Sequence, residues 1–356
     1  MDIDNNYIKK TIINWYDSNA RNLPWRKKSN NISNIPYRVL ISEIMLQQTT
    51  VGTVKNRYIE FMKQWPNIKK LSQISERQIL TFWSGLGYYK RAINLYKCAK
   101  IIKKNFNYKI PNNKEELMSL PGIGDYTSSA ILAIAYNQPV MAVDANIKRI
   151  IMRIYGLKFP IKNLNKKIQQ YANKLIHKNR PGDMIQSLMD FGSIICKPRN
   201  PNCKECIINN NCIAYKKNIV NKIYLKNKFS SKNKPVLYTY AYLIINNNKI
   251  LLRRRAAKGM LPMMIEVPTS KWLKKPLNKD QVIAHSPIKI NYKKLKKKIN
   301  YQFSHFILNI SILVGNSKRK KIKKSKWYDL KKINKIELPT VMKKIIDSDF
   351  NRNLLN

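Results

Sequence analysis

Four of the chain's five cysteines crowd into one stretch, Cys196, Cys203, Cys206 and Cys212, with Cys98 far away. In a cytoplasmic setting so dense a cluster reads as a metal or cluster site rather than a disulfide framework. Structural zinc more often uses two separate Cys-x2-Cys knuckles, whereas one compact loop can wrap a cubane, so the spacing favours [4Fe–4S] over zinc. Two carboxylates also stand out. Glu43 is almost the only charge in Val39-Leu40-Ile41-Ser42-Glu43-Ile44-Met45-Leu46. Unpaired in an apolar helix, it would keep its proton near neutrality and could donate it; an edge position on an amphipathic helix explains it equally well. Asp144 follows Pro139-Val140-Met141-Ala142-Val143 and opens a helix. Capping alone would account for it, yet a capping carboxylate stays ionised and suits a developing positive charge. A protonated acid beside an ionised one is what cleavage at a sugar's anomeric carbon needs.

The elements that must position these groups follow from hydrophobic period and turn signals. From Tyr7 to about Tyr215 the pattern is helical, broken by Gly/Pro signals such as Leu23-Pro24 and Gly85-Leu86-Gly87. Helices are expected over Val39–Gln48, Asn112–Leu120, Ala130–Tyr136 and Ala145–Tyr155. Leu120-Pro121-Gly122-Ile123-Gly124 joins two of them. Gly122 and Gly124 let backbone approach a ligand, and the next helix offers unpaired N–H groups, so the turn can cradle a phosphate; an ordinary helical corner is the plainer reading. Asp125 should then point away from the phosphate. Lys216 to Lys234 reads as a linker. Beyond it the period becomes two: Val236–Ile245, a turn at Asn246-Asn247-Asn248 and Lys249–Arg253 form a hairpin. Tyr301–Val314 reads as one long strand, Thr340–Asp347 as a closing helix, and Lys293–Lys298 and Lys318–Lys326 as solvated loops.

The chain has 356 residues, enough for two or three domains, and 44% hydrophobic residues exclude disorder throughout. Its 69 Lys+Arg against 19 Asp+Glu give a formal charge of +50, which favours a polyanionic partner, although AT-rich codon use supplies part of the lysine excess. No apolar run reaches a membrane span and Met1–Lys10 lacks a signal peptide's apolar core, so a cytoplasmic, nucleoid-associated protein with no membrane partner is expected.

Together these residues resemble the MutY-type adenine DNA glycosylases, within the helix-hairpin-helix superfamily shared with endonuclease III. The resemblance rests on Leu23-Pro24-Trp25-Arg26, Ser42-Glu43-Ile44-Met45-Leu46-Gln47-Gln48-Thr49, Gly85-Leu86-Gly87-Tyr88-Tyr89, the hairpin, Val143-Asp144, the four-cysteine loop and Phe303-Ser304-His305, in this order. It implies a multidomain fold: an all-α helix-hairpin-helix domain over residues 1–215 with a [4Fe–4S] loop at 196–212, a linker at 216–235, and an α+β Nudix-like domain over 236–350. The implied reaction is monofunctional excision of adenine mispaired with 8-oxoguanine or guanine, the base flipped out of double-stranded DNA by a monomeric enzyme. By the family's mechanism Glu43 protonates the base at N7 and Asp144 stabilises the oxocarbenium-like sugar, with Tyr126 and Asn146 holding the site together. Tyr126 stands where the endonuclease III branch has a Schiff-base lysine. Arg26, Leu46 and Gln186 match adenine-pocket residues. Gln48 and Tyr88 match residues that fill or wedge the opened stack, and their neighbours Thr49 and Leu86 share that DNA contact. The cysteine loop orders a basic segment, with Lys197 and Arg199, against DNA. Phe303, Ser304 and His305 match the loop that recognises 8-oxoguanine, whose N7–H a hydroxyl can accept.

Two departures qualify the match. The family usually has Gly after the catalytic Asp, where this chain has Ala145. Gly259–Pro268 lacks a second Gly and a Trp, and no Gly-x5-Glu…Arg-Glu-x2-Glu-Glu box is present, so no nucleotide hydrolysis is expected in the second domain. The rival readings are an endonuclease III-like glycosylase/lyase and a non-catalytic mismatch-binding protein.

Overall fold

Apolar residues at helical spacing build everything regular from Asn5 to Lys216 among the described residues. The helices are α1 (Asn5–Asn19), α2 (Ile35–Leu46), α3 (Val51–Gln64), α4 (Ile68–Leu71), α5 (Glu76–Phe82), α6 (Lys90–Asn105), α7 (Lys114–Ser119), α8 (Asp125–Tyr136), α9 (Ala145–Ile154), α10 (Leu164–Lys174), α11 (Pro181–Ile194) and α12 (Ile213–Lys216). The computed structural model describes residues 3–27, 34–158, 163–223, 234–256, 259–303, 305–336 and 338–348. Backbone contacts divide the chain into two units, residues 1–76 with 91–228, and residues 77–90 with 229–356.

In the first unit α11 packs against α1, α8 and α9. Ile8, Ile12, Ala130, Ile147, Ile150, Met184, Leu188 and Phe191 are buried between them. Each such aliphatic side chain stabilises the fold by about 1.5–3 kcal/mol, enough to hold the N-terminal end of α9 as a rigid platform. The same core extends past Tyr215, burying Ile219 and Ile223. Residues 224–233 of the expected linker lie outside the described residues. Helix α2 begins earlier than the apolar run suggested, because Pro36 fits a first turn, and it stops at Leu46 before Gln48 turns left-handed at φ 54°. Helix α8 likewise begins at Asp125, its cap being Gly124. Helix α9 starts where expected, capped by Asp144.

The second unit is a mixed sheet of β1 (Val236–Asn246), β2 (Lys249–Arg254), β3 (Ile265–Glu266), β4 (Lys293–Gln302), β5 (Ile307–Asn316) and β6 (Ser325–Asp329). Its order is β3-β2-β1-β5-β4, with β6 also on β2. β1 and β5 are parallel, from Val236 opposite Ile307 to Ile245 opposite Asn316. Short helix α13 (Lys279–Ala284) sends Val282 to one face, and α14 (Thr340–Ile346) packs Val341, Met342 and Ile345 on the other.

One strand expectation and two loop expectations are corrected. Tyr301–Val314 is not one strand: the chain reverses between β4 and β5, where Phe303 N–H donates to the Phe306 carbonyl at 2.9 Å. Phe303 and Phe306, which read as strand residues, stack on each other across that turn, their ring centroids 4.7 Å apart. Lys293–Lys298 is not a loop but the start of β4, at the sheet edge, where a register shift between Lys294 and Lys298 breaks the alternation that would have marked a strand. Exposed lysines there also discourage edge-to-edge pairing. Lys318–Lys326 is a loop only until β6 begins at Ser325.

Candidate active site

Glu43 sits on the last full turn of α2, 8% exposed and surrounded by buried apolar side chains. Burial drives its carboxyl up from 4.5 to about 7; a hydrogen bond from the Tyr126 hydroxyl opposes this, anionic Asp144 adds to it, and the Arg26 charge opposes it. Tyr126 comes from the first turn of α8, and its own pKa is raised well above normal by burial and by both carboxylates. The phenol therefore stays protonated and serves as the donor.

Asp144 caps α9. Its Oδ1 accepts from Ile147 N–H at 2.7 Å and its Oδ2 from Asn146 Nδ2 at 2.9 Å. Burial nevertheless raises its pKa, against those hydrogen bonds and the Arg149 charge, so the cap does not by itself decide the expected ionisation. What separates the two acids is partner number. Asp144 has a backbone donor, an amide, a guanidinium and the positive end of α9, whereas Glu43 has one phenol and one cation, so the anion belongs on Asp144 and the proton on Glu43. Ala145 is the first residue of α9 and is not among the left-handed residues, so its backbone makes no demand for glycine.

Behind Asp144 runs a buried relay. Arg149 donates from Nη2 to Asn146 Oδ1 at 2.9 Å and Gly192 O at 2.7 Å, and from Nε to Cys196 O at 2.8 Å. Arg153 donates to Lys197 O at 2.7 Å and to Cys196 Sγ at 3.3 Å. Cys196, Cys203, Cys206 and Cys212 line one pocket with Arg153. Among the described residues no three metal-ligating side chains converge on a single point. A four-thiol lining around an open centre is the donor set that suits a polynuclear cluster.

Arg26, on the 3₁₀ turn Pro24–Arg26, donates to Asp190 through Nη1 at 2.6 Å and Nη2 at 3.0 Å. Its guanidinium lies 5.8 Å from the Tyr16 ring centroid. Asp190, on α11, is fully buried and also accepts from Arg21. Gln186, one turn earlier on α11, is half-buried and donates to Gly182 O. Leu46 is half-buried at the end of α2, followed by exposed Gln48. Arg91 organises this corner, donating to Ile44 O at 3.0 Å, Met45 O at 2.7 Å and Thr49 Oγ1 at 3.0 Å. Gln47 reaches the hairpin, donating to Gly122 O and Thr127 Oγ1 at 3.4 Å. Gly122 needs its glycine, with φ 86° and Asn94 Cβ only 2.9 Å from where a side chain would start. Asp125 pairs with Lys114 across the hairpin at 2.6 Å.

Leu86 and Tyr88 belong to the segment 77–90, grouped with the second unit. Leu86 is buried, and Tyr88 is 42% exposed with left-handed backbone at φ 47°. Phe303 packs against Trp272, Tyr301 and Phe306 within its own unit, and His305 is exposed. Ser304 lies outside the described residues. Sequence reasoning missed Arg91, Arg149, Arg153 and Asp190. Asp190 carried a usable signal, being an acid alone in Ser187-Leu188-Met189-Asp190-Phe191-Gly192, the same context that marked Glu43.

Residues 41–178 match the HhH-GPD superfamily of base excision DNA repair proteins, and residues 240–348 match the NUDIX domain. The chain is 38% identical to an adenine DNA glycosylase of Buchnera aphidicola subsp. Schizaphis graminum, covering 96% of this chain and 98% of that one. It is 36% identical to an adenine DNA glycosylase of Buchnera aphidicola subsp. Baizongia pistaciae, covering 95% of each. Among solved structures, a thermostable thymine-DNA glycosylase aligns at TM-score 0.55 and 30% identity, over 60% of this chain and 97% of that one. With two buried acids and a phenol that act on one another, a match across nearly the whole chain and both domain families in order, this chain belongs to the MutY-type adenine DNA glycosylases and is a DNA glycosylase.

Proposed function

We propose that this enzyme hydrolyses the N-glycosidic bond of adenine mispaired with 8-oxoguanine, or with guanine, in duplex DNA and leaves an abasic site. The observation that carries this reading is the pairing of a buried, proton-retaining Glu43 with a multiply hydrogen-bonded Asp144 through Tyr126. Glu43 transfers its proton to N7 of the everted base. The electron pair of the C1′–N9 bond leaves with adenine, and water adds at C1′ while its proton passes to the Glu43 carboxylate left by the first step. Asp144 faces the positive charge that develops on the sugar, electrostatically or by transient attack. Tyr126 carries a phenol, which has no amine with which to form a Schiff base. That supports a monofunctional enzyme.

Lesion recognition is assigned to the turn between β4 and β5, where Phe303 is braced by its aromatic neighbours and Ser304 would accept the N7–H of 8-oxoguanine. A single copy of the chain engages the duplex, and Gly122, Gly124 and the N-terminal end of α8 receive a phosphate. The four-cysteine loop would hold a [4Fe–4S] cluster that orders Lys197 and Arg199 against the DNA backbone, a structural contribution outside the chemistry of the base. The test is a single-turnover assay on duplexes with A opposite 8-oxoguanine, G or T, and on a duplex carrying an oxidised pyrimidine, with borohydride present. Abasic product from the first two, without a trapped enzyme–DNA adduct, is expected. A trapped adduct with loss of an oxidised pyrimidine would replace this reading.

A further inference from the structure

The Arg26–Asp190 pair sits beside the reacting acid, yet the chemistry above uses neither member. Asp190 is fully buried in α11 and accepts from the Arg21 backbone N–H at 3.0 Å, from Arg21 Nε at 2.5 Å, and from both terminal nitrogens of Arg26. The remaining nitrogen of Arg26, Nε, is buried without a protein partner. Two bonds to one carboxylate leave the guanidinium no freedom to swing, and the Tyr16 ring closes its other side.

We propose that Asp190 is a positioning residue for base excision: by clamping and partly neutralising Arg26, it limits the positive charge that Glu43 meets and so keeps Glu43 protonated at working pH. The charged and titratable groups around Glu43 come from four elements. They are Tyr126 on α8, Asp144 at the cap of α9, Arg26 on its 3₁₀ turn, and Arg91 on α6 at the α2 carbonyls; Tyr58 on α3 donates instead to Arg38 O. On α3, Lys55, Glu60 and Lys63 are exposed, and half-buried Arg57 pairs with Glu60 at 3.1 Å. Among the described residues, Arg26 is the cation that acts on the Glu43 carboxyl to lower its pKa, and Asp190 is the carboxylate bound to that cation. This inference rests on the reading of Glu43 as proton donor.

Removing either member of the pair by an uncharged isostere therefore has opposite consequences. Asp190→Asn strips the counter-charge from Arg26 and makes Glu43 more acidic. Arg26→Gln removes the cation and leaves Asp190 behind, making Glu43 less acidic. Simple loosening of the pocket would admit water in both variants and make Glu43 more acidic in both.

The experiment follows the Glu43 side-chain carboxyl by ¹³C NMR in the full-length, DNA-free protein, with Glu43→Gln to identify the resonance. It is paired with the pH profile of single-turnover excision. The expected result is a downward shift of about one pH unit in Asp190→Asn, an upward shift in Arg26→Gln, and a value near wild type in the double variant. The alkaline limb of the rate profile should move with each. Shifts of the same sign in both single variants, or none in either, would overturn the proposal. If either single variant fails to fold, the double variant, which removes both charges together, and Asp190→Glu, which keeps the charge, decide it: a Glu43 midpoint displaced alike in both overturns it. The titration needs no catalysis, so a wild type that shifts as expected but releases no adenine would sink the substrate assignment and leave this coupling standing.

Discussion

Glu43 on α2 and Asp190 on α11 look alike in the sequence, each an acid alone among apolar neighbours, and the two regions treat them in opposite ways. Around Asp190 two arginines converge, and the carboxylate becomes the centre of a buried ion cluster. Around Glu43 one phenol donates and burial dominates, so the carboxyl titrates near 7. Partner supply, not local sequence, decides whether a buried acid is a structural anion or a proton source. The second unit repeats the clamp with Glu266, 2% exposed, which pairs with Arg253 at 2.8 Å and with Arg255. Among the described residues no second carboxylate pairs with Arg253 or Arg255, so this clamp stays architectural.

The largest expected effect breaks the contrast at its functional end. Glu43→Gln keeps shape and hydrogen bonding but removes the proton, and excision should fall on the order of 10²–10⁴-fold in single turnover. Asp144→Asn should fall comparably, and a variant retaining wild-type rate at either site would refute the pairing of roles.

Stability should then move in opposite directions at the two acids. Asp190→Asn strands two arginines and should cost about 3–5 kcal/mol in denaturant unfolding. Glu43→Gln should stabilise, with a defined pH dependence. The folded-state value lies above the ordinary 4.5, so the folded chain holds a proton that the unfolded chain releases between there and about 7. Wild-type stability attributable to Glu43 is therefore full below that window and lost as pH rises through it. The glutamine variant cannot ionise, so its advantage should be absent at pH 4 and reach up to about 3 kcal/mol at pH 8. Melting curves at the two pH values test this, and a pH-independent difference would contradict the assigned titration.

The smallest effect on excision compares the two clamps. They are similarly exposed, Arg253 and Arg255 at 31% and 18% against Arg21 and Arg26 at 29% and 11%, so they differ in what stands beside them and not in access to water. Glu266→Gln should therefore cost as much stability as Asp190→Asn, roughly 3–5 kcal/mol, and leave the pH midpoint of excision where it is. Movement of that midpoint would blur the distinction between an anchoring clamp and a tuning one.

What the residues alone determined was the inventory. Glu43, Asp144 and the four cysteines stood out by type and spacing, Tyr126 and Asn146 by the resemblance to the family, and the helical-then-strand periodicity divided the chain, because period and capping are local properties. The position of Phe303 was harder to read, since an aromatic that stacks across a turn carries the same apolar signal as one in a strand. So was the strand nature of Lys293–Lys298, hidden by a register shift at a sheet edge. Only the tertiary structure could decide which acid would be neutral. The donors to Asp190 lie 164 and 169 positions away in sequence, and the phenol that reaches Glu43 comes from another helix. Proton affinity depends on charges and desolvation within a few ångströms, and no local pattern encodes which distant groups will come to lie there.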